Sequence, residues 1–450
     1  MAKSKTTFIC QQCAASYTKW SGKCENCGEW NSLVEQASSA SAGKSAVSRG
    51  ASSGSILKAQ SMRSIDIENK VDRISTNIPD LDDVLGGGIL PGGVMLLAGQ
   101  PGIGKSTLLL QVAAETATSK RVLYVSGEES ASQVRLRAKR LGADSSDSLE
   151  FIASTSADDI GATIRSGHYD IVIVDSIQTL SLEDVTSAPG SVSQITNSSN
   201  VIIRSAKDSN AAVILVGHVT KEGSIAGPKV LEHLVDVVLQ FEGDRYGGFK
   251  IVRATKNRFG STAEAAIFEM YEGGLRLVEN PSAALLEERR DTDGSVVLAT
   301  MEGNRPLLVE IQALVNPTSF GYPKRTASGF DLNRLNLLVA VLERRTKLKL
   351  SDKDIYVNVV GGLKLADPAA DLAVCMAIAS AAAERKLNAK TVVFGEVGLG
   401  GEIRSVQHFD RRIQEAKKLG FKSALAPKYQ NTTFIKPVED LRQALIDYLE

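Results

Sequence analysis

The stretch Gly99-Gln100-Pro101-Gly102-Ile103-Gly104-Lys105-Ser106 decides the fold, because its G-x-x-x-x-G-K-S spacing is that of a phosphate-binding loop. Its glycines allow the backbone torsions that turn successive N–H groups inward around an anion. Lys105 can reach the β- and γ-phosphates, and the Ser106 hydroxyl can bind Mg²⁺. The residues expected to contact ATP or ADP are Gly99, Gln100, Pro101, Gly102, Ile103, Gly104, Lys105, Ser106 and Thr107.

The sequence on both sides of this loop supports the same interpretation. Residues 94–98 form a short apolar run that predicts a buried strand. Residues 106–118 predict a helix with one apolar face, and the N-terminus of that helix would add its dipole to the phosphate site. A glycine-rich turn that binds no ligand is the alternative, but it does not explain the strand, loop and helix together.

The length and charge of the chain limit the classes of protein to which it can belong. The chain has 450 residues, enough for two or three domains with sizeable cores. Lys+Arg and Asp+Glu both number 52, so any surface that binds nucleic acid must be a local patch. The sequence has no run of about 18 apolar residues, so no segment is expected to cross a membrane. The first residues lack the apolar core of a signal peptide, which predicts a cytoplasmic protein.

Four of the five cysteines form two C-x2-C pairs near the N-terminus, with ten residues between the pairs. They are Cys10, Cys13, Cys24 and Cys27. In a reducing compartment, such paired hooks predict a tetrahedral Zn²⁺ site within a compact module at residues 1–34. An iron–sulfur cluster is the chemical alternative. Two roles stay open for this module. Either zinc merely folds it, or the folded module contacts DNA or a partner.

Beyond the cysteines, residues 35–60 are rich in serine, alanine and glycine, which predicts a flexible linker. Strands and helices then alternate over residues 61–278. Continuous apolar runs predict strands at 121–126, 149–153, 171–175 and 212–217. Because helices join these runs, we expect an α/β fold with a parallel sheet covered on both faces.

Acidic residues follow two of these strands, at the edge where parallel sheets place functional groups. Asp175 ends an apolar strand and is expected to hold Mg²⁺, directly or through water. Glu128 and Glu129 follow the strand at 121–126, and a carboxylate there can orient and polarise the attacking water. Glu128 is the favoured residue and Glu129 the fallback. For either glutamate, the alternative role is that of an acid at the start of the following helix.

Polar and basic residues continue beyond these strands. His218 closes the strand at 212–217, where RecA-type motors place a polar sensor of the γ-phosphate, although a lone histidine is often structural. The loop that follows contains Lys221 and Lys229, and it can track a phosphate backbone or be an ordinary solvated loop. Further on, Lys256 or Arg258 can be the cation that a neighbouring subunit supplies to the γ-phosphate in ring-forming ATPases. The alternative is two solvent-facing cations.

Three further stretches, together with the phosphate loop, resemble the bacterial RadA (Sms) family. They are Leu81-Asp82-Asp83-Val84-Leu85-Gly86-Gly87-Gly88, Ser126-Gly127-Glu128-Glu129-Ser130 and Lys256-Asn257-Arg258-Phe259-Gly260. The four-cysteine start and the C-terminal region match the same family. The resemblance implies a RecA-like ATPase of DNA repair and recombination that binds single-stranded and branched DNA and drives branch migration. It also implies a homo-hexameric ring similar to that of DnaB-type helicases, with the recombinase RecA as a candidate partner.

Residues 279–450 change to mixed strands and helices and resemble the peptidase domain of Lon proteases, an α+β fold. Lon uses a Ser-Lys dyad, but here Ala369 stands in the place of the serine and Asp410 in that of the lysine. Alanine has no nucleophile and aspartate cannot act as the amine base, so we expect a structural domain and no peptidase. Its cations predict a DNA-binding face, with an ordinary solvated surface as the alternative. The residues chosen for that face are Arg305, Lys324 and Arg325.

The leading hypothesis is therefore an ATP hydrolase stimulated by DNA, in which Ser106 and Asp175 hold Mg²⁺. The expected catalytic residues are Lys105, Glu128, Asp175, Lys256 and Arg258. Two alternatives stay open from the sequence: an ATP-dependent Lon-like protease, and a nucleotide-switched binding module that acts through partner proteins.

Overall fold

The computed structural model describes residues 6–10, 16–25, 32–37, 72–144, 146–218, 230–243, 249–319, 321–429 and 433–449. The chain forms two compact units. The first contains residues 1–239 and 255–260, and the second contains residues 240–254 and 261–450. Within the described ranges, none of the helices has the length and apolar character needed to cross a membrane.

The N-terminal module is built from three short strands. They are β1 (Thr6–Cys10), β2 (Ser16–Tyr17) and β3 (Leu33–Ala37). Strand β1 pairs antiparallel with both others, in the order β2-β1-β3. Cys10 and Cys24 are buried with Leu33, and Phe8 and Tyr17 pack against them. The small core thus forms around two of the cysteines, and β3 extends three residues into the predicted linker.

The first unit continues with alternating helices and strands. They are α1 (Pro79–Leu85), β4 (Val94–Gly99), α2 (Lys105–Thr116), β5 (Val122–Ser126), α3 (Ala131–Arg140), β6 (Leu149–Ala153), α4 (Ala157–Gly167), β7 (Ile171–Asp175), a 3-10 turn (Ile177–Thr179), α5 (Val192–Ser209), β8 (Ala212–His218), α6 (Val230–Leu234) and β9 (Val237–Gly243).

These strands follow one another in the order β9-β4-β8-β7-β5-β6 within a nine-stranded sheet. The pairs β4–β8, β8–β7, β7–β5 and β5–β6 are all parallel. All residues of β4 and β5 are buried, because helices cover the sheet as expected for a parallel α/β layer. The predicted α/β fold with a parallel sheet is therefore confirmed, and one strand, β8, separates the phosphate-loop strand β4 from β7.

The second unit contains the remaining elements. They are β10 (Phe249–Asn257), β11 (Ala265–Tyr271), β12 (Gly274–Leu277), α7 (Pro281–Leu286), β13 (Ser295–Glu302), β14 (Arg305–Pro317), β15 (Arg325–Ser328), α8 (Leu332–Thr346), β16 (Lys353–Val359), α9 (Ala370–Ala383), β17 (Thr391–Val393), β18 (Glu396–Val397), β19 (Ile403–Arg404), α10 (Phe409–Lys418), β20 (Ser423–Ala426), β21 (Ile435–Pro437) and α11 (Leu441–Tyr448). The last residues of β10 belong to the first unit.

The main sheet of the second unit is mixed, with the order β15-β16-β14-β13-β17-β20-β21. Strands β13, β14 and β16 pair antiparallel, and β13, β17, β20 and β21 pair parallel. Helix α9 is buried along nearly its whole length, and Cys375 within it is fully buried, as expected for a core residue. The C-terminal part is a second sheet domain, as the α+β prediction required.

The division between the units differs from the predicted boundary between residues 278 and 279. Strands β11 and β12 and most of β10 belong to the second unit. The physical reason is packing, because Ile251, Ile267 and Val278 lie in the same apolar core as Leu285 and Val296. The alternation of strands continued through this region, so the sequence pattern did not reveal the change of core.

A buried ion pair connects α10 with other elements of the second unit. The Arg412 side chain is buried, and its Nη1 donates to Asp367 Oδ2 and to the Ala299 carbonyl oxygen, at 2.7 Å each. Asp367 also accepts from Thr300 Oγ1 at 3.0 Å and from the Ala369 N–H at 3.0 Å. Burial alone would raise the pKa of Asp367, but the hydrogen bond and charge of Arg412 outweigh burial and lower it. The carboxylate is therefore the charged partner of a buried cation.

Asp367→Asn should destabilise the second unit by about 3 kcal/mol, because it leaves the buried Arg412 charge without its partner. Urea unfolding of the full chain measures the free energy of unfolding. Hydrogen exchange in peptides from β13 and α9 shows whether the loss of stability lies in the second unit. Since the pKa of Asp367 is lowered, the difference between wild type and variant should shrink as the pH falls below about 3.9.

Asp410→Asn is the matched control, because Asp410 is exposed and accepts a hydrogen bond from the Tyr429 hydroxyl at 3.0 Å. It should change the free energy of unfolding by about 0.5 kcal/mol or less. Equal stability of the two variants would contradict the importance of the Asp367–Arg412 pair.

Candidate functional site

The phosphate loop joins a buried strand to a helix, as its sequence predicts. Strand β4 ends at Gly99 and helix α2 begins at Lys105. Gly102 and Gly104 have φ angles of +76° and +115°, which side chains with a Cβ rarely adopt. The loop therefore places its N–H groups at the N-terminus of α2, where the helix dipole favours an anion.

Lys105 is the buried cation of this loop, with 4% of its surface exposed. Its Nζ donates to the carbonyl oxygens of Gly99 at 2.8 Å and Gln100 at 3.0 Å, and it lies 3.1 Å from His218 Nδ1. Burial lowers the pKa of Lys105 to about 8, although the charges of Asp175 and Glu128 oppose this shift. The loop thus holds its lysine ready on weak neutral acceptors that phosphate oxygens can replace.

Asp175 ends β7 at the same edge of the sheet. Its Oδ2 accepts a hydrogen bond from the Tyr124 hydroxyl at 2.7 Å. Tyr124 lies within β5 and is 2% exposed. Burial chiefly, and then the Asp175 charge, raise the pKa of Tyr124 well above its ordinary value, so the phenol keeps its proton and donates. Tyr124 is not among the residues expected from the sequence, because the pattern of residues 121–126 indicates only an apolar strand.

Glu128 lies in the same cluster as Lys105 and His218. Its Oε1 accepts from the Ser176 hydroxyl at 2.6 Å and lies 3.5 Å from His218 Nε2. The two nitrogens of one imidazole ring thus face Lys105 on one side and Glu128 on the other. The sequence left the role of His218 undecided, and Ser176 was not considered at all.

Glu129 has different partners. Its Oε1 forms an ion pair with Arg137 Nη2 of helix α3 at 2.5 Å, and its N–H donates to Ser126 Oγ at 2.9 Å. The structure therefore separates the two adjacent glutamates: Glu128 joins the cluster around the phosphate loop, and Glu129 pairs with the helix that follows.

Arg258 lies at the opposite end of β4 from the phosphate loop of its own chain. Its Nη1 is 3.2 Å from Asp236 Oδ1, and Asp236 Oδ2 accepts from the Val94 N–H at 3.1 Å. Val94 begins β4 and Gly99 ends it. Five residues of strand span about 16 Å, so Arg258 does not belong to the cluster around Lys105 in the same subunit.

Lys256 is held close to Arg258 but has different partners. Its Nζ donates to the carbonyl oxygens of Glu232 at 2.5 Å and Val235 at 2.7 Å, at the end of α6. Burial, and then the nearby Arg258 charge, lower the pKa of Lys256. Lys256 thus caps the helix, whereas 56% of the Arg258 side chain is exposed.

Residues 81–88 and 256–260, which are far apart in sequence, pack together beside these cations. Arg73 Nη2 donates to the Phe259 carbonyl oxygen at 2.9 Å, and Arg73 Nη1 donates to the carbonyl oxygens of Leu85 at 3.1 Å and Gly88 at 3.2 Å. A Cβ on Gly260 would lie 2.9 Å from the Cα of Gly86. This close approach explains why both stretches contain glycine. No sequence pattern indicated a role for Arg73.

The donor atoms near the loop suit Mg²⁺. The Ser106 hydroxyl and the Asp175 carboxylate are hard oxygen donors, and both belong to the edge of the sheet where β4 and β7 end. Asp175 is half-buried, and Ser106 follows Lys105 in the first turn of α2. These residues therefore fit a magnesium ion bound with nucleotide.

The cysteines of the N-terminal module suit zinc as far as the structure describes them. Cys10 and Cys24 are buried, whereas Cys13 and Cys27 lie outside the described residues. Among the residues that are described, no three His, Cys, Asp or Glu side chains come together as metal ligands. Two buried thiols in a core this small match one half of a four-cysteine site.

The second unit has a cleft lined by residues that are close in sequence to Ala369 and Asp410. The cleft has a volume of about 490 Å³, and its walls include Asp367, Pro368 and Arg412. Ala369 is fully buried beside it, and the Asp410 carboxylate accepts from Tyr429. At these positions the chain therefore offers neither the nucleophile nor the amine of a Ser-Lys dyad.

Of the cations chosen for DNA contact, those that the structure describes do not line this cleft. Arg305 Nη2 lies 3.4 Å from the carbonyl oxygens of Val278 and Glu279, Lys324 is exposed, and Arg325 is half-buried in β15. Lys221 and Lys229 lie outside the described residues.

Comparison with known proteins covers nearly the whole chain. Family models match residues 61–224 as an AAA domain, residues 8–35 as a Rubredoxin metal binding domain and residues 336–430 as subunit ChlI of Mg-chelatase. The chain is 50% identical to the DNA repair protein RadA of Halalkalibacterium halodurans, over 95% of this chain and 93% of the relative. Identity to the protein of the same description is 50% in Listeria monocytogenes, with 95% and 93% covered, and 45% in Aquifex aeolicus, with 99% of both covered. The similarity therefore extends over both units.

Nucleotide affinity should fall as the pH rises above about 8, the pKa of Lys105. Phosphate oxygens favour the charged amine, so binding at higher pH must add a proton to Lys105. The dissociation constant of ADP should rise by up to about tenfold per pH unit between pH 8 and 9.5. Calorimetric titration in two buffers of different ionisation enthalpy measures both the affinity and the proton uptake.

Lys105→Arg is the control, because its guanidinium stays charged over this range. Its affinity for ADP should be weaker but nearly independent of pH. The same slope in wild type and variant would show that another group is responsible.

Proposed function

Since the chain belongs to the RadA family of DNA repair proteins and contains an ATP-hydrolysing domain, we propose that it is a DNA-dependent ATPase that drives branch migration. It binds single-stranded and branched DNA and uses ATP hydrolysis to extend paired strands in recombination intermediates. The observation that carries the proposal is the cluster of Lys105, Glu128, Asp175 and His218 at one edge of the parallel sheet. The cluster combines a phosphate-binding cation, a metal-binding acid and a candidate base.

Each residue has a distinct task in this proposal. Lys105 leaves the carbonyl oxygens of its loop and binds the β- and γ-phosphates, while Ser106 and Asp175 hold the Mg²⁺. The ion supplies positive charge that offsets the charge on the phosphates. Glu128, steadied by the Ser176 hydroxyl, orients the attacking water and accepts its proton. His218 lies between Lys105 and Glu128, where it can sense the γ-phosphate.

Glu128 is preferred to Glu129 because of its partners. A base must lie near the reacting phosphate, and Glu128 is linked through His218 to Lys105. Glu129 is instead held in an ion pair with Arg137 of helix α3.

The site is completed by a neighbouring subunit in a homo-hexameric ring. Arg258 supplies the cation, because its side chain is largely exposed and lies too far from its own phosphate loop. Lys256 holds the end of α6 and positions the segment that carries Arg258. Both residues contribute to catalysis in trans.

DNA is gripped by basic residues of both units. Those proposed are Lys221, Lys229, Arg305, Lys324 and Arg325. The N-terminal module holds Zn²⁺ through its four cysteines and contacts DNA or a partner, for which the recombinase RecA is the candidate. The second unit supports the ring and is no peptidase, because Ala369 and Asp410 replace the dyad.

Single-stranded DNA should stimulate ATP turnover by the wild-type chain, and the chain should extend paired strands in a branched substrate. Glu128→Gln should lower kcat by about a hundredfold or more while ATP and DNA still bind, because only the proton acceptor is lost. Glu129→Gln, one residue away, is the matched control and should keep most of both activities.

Other results would contradict the proposal. Full strand extension by Glu128→Gln would separate extension from hydrolysis at this site. Slow turnover that DNA does not change would favour a nucleotide-switched module, and release of peptides from an unfolded protein would favour a protease.

A mixing experiment tests whether Arg258 acts in trans. Chains with Lys105→Ala and chains with Arg258→Ala should each be inactive, but in a mixed ring the first can offer Arg258 to the intact loop of the second. Equal mixing should restore about one active interface in four, since half of the loops and half of the neighbours are intact. The measurement is ATP turnover against mixing ratio.

Mixing Lys105→Ala with Glu128→Gln chains is the control, because both defects affect the site of one subunit and no interface is restored. If the first mixture recovers no more turnover than this control, Arg258 does not act across an interface.

A further inference from the structure

The Tyr124 hydroxyl is an unusual polar group within an otherwise apolar strand. All five residues of β5 are buried, and Tyr124 is 2% exposed. In the parallel register of β5 and β7, Tyr124 lies opposite Ile173 and Ser126 lies opposite Asp175. Tyr124 is therefore two residues, or about 6.6 Å, short of the level of Asp175, a distance that its ring bridges along the sheet. The hydroxyl ends 2.7 Å from Asp175 Oδ2.

Apolar packing does not require this hydroxyl. The ring of Tyr124 stacks on Phe151, with ring centroids 6.5 Å apart, and a phenylalanine would fill the same space. Burying a hydroxyl costs free energy unless it forms a hydrogen bond, so its presence needs a partner that uses it. The carboxylate of Asp175 is that partner.

We propose that Tyr124 is a positioning residue that fixes the orientation of the Asp175 carboxylate for the metal ion. This inference rests on the proposed role of Asp175. The hydroxyl occupies Oδ2 and thereby leaves Oδ1 for the metal ion or its water. Hydrogen-bond partners of metal-binding carboxylates commonly act in this way, and their loss typically weakens metal affinity or activity by about 10- to 100-fold.

The chain provides a matched control in Tyr169. Its hydroxyl donates to Glu150 Oε2 at 2.8 Å, and its side chain is also buried. Tyr169→Phe therefore removes the same kind of bond from a tyrosine to a carboxylate, but at Glu150, which belongs to β6 and not to the cluster.

The experiment measures Mn²⁺ binding to the full chain with saturating ADP, by the electron paramagnetic resonance signal of free Mn²⁺. Tyr124→Phe should weaken Mn²⁺ binding by about tenfold or more. Its affinity for ADP without metal and its melting temperature should stay close to those of wild type. Tyr169→Phe should leave Mn²⁺ binding unchanged. Equal Mn²⁺ affinity of the two tyrosine variants would overturn the proposal.

Asp175→Asn supplies the second test. If Tyr124 acts through Asp175, adding Tyr124→Phe to Asp175→Asn should weaken Mn²⁺ binding no further, whereas a separate structural effect would add. An additive result would overturn the role of Tyr124 alone. Unchanged Mn²⁺ binding by Asp175→Asn itself would instead refute the metal-binding role of Asp175, on which the proposed function also depends.

Discussion

The backbone hydrogen bonds between parallel strands β4, β8, β7 and β5 are the constraint on which the whole site depends. Their register sets Gly99 beside His218 and Ser126 beside Asp175. Parallel strands end at the same edge, so residues from four distant parts of the chain meet there without any further device. A slip of one residue in any pair would turn the following side chains to the other face of the sheet. The arrangement of the cluster is therefore as stable as the buried sheet that carries it.

The sequence could predict the parts of the site that depend on local pattern. The phosphate loop has a fixed spacing, and Asp175 follows an apolar strand, so both could be proposed from the sequence. The proposed preference for Glu128 over Glu129 rests on their contacts with Ser176 and Arg137, which no sequence pattern indicates. Tyr124 was missed because a hydroxyl inside a strand leaves no periodic signal. The sequence pattern also does not indicate where one core ends and the next begins, because antiparallel strands continue the same alternation.

The charged residues in the cleft of the second unit are paired with each other. Where the resemblance to Lon proteases would place a nucleophile, the chain has a buried alanine. The charges nearby, on Asp367 and Arg412, neutralise each other and bind backbone groups of β13. Polar groups that satisfy one another in this way hold elements together and offer little to a substrate.

The Asp236 carboxylate connects Arg258 with the start of β4. One oxygen holds Arg258, and the other holds the N–H of Val94 at the start of β4. In the proposed ring, Arg258 would contact the phosphate of a neighbouring subunit. Asp236 connects Arg258 with the start of β4, and the far end of β4 is the phosphate loop of the same subunit. One nucleotide site of the ring would then be linked to the next through a single buried strand.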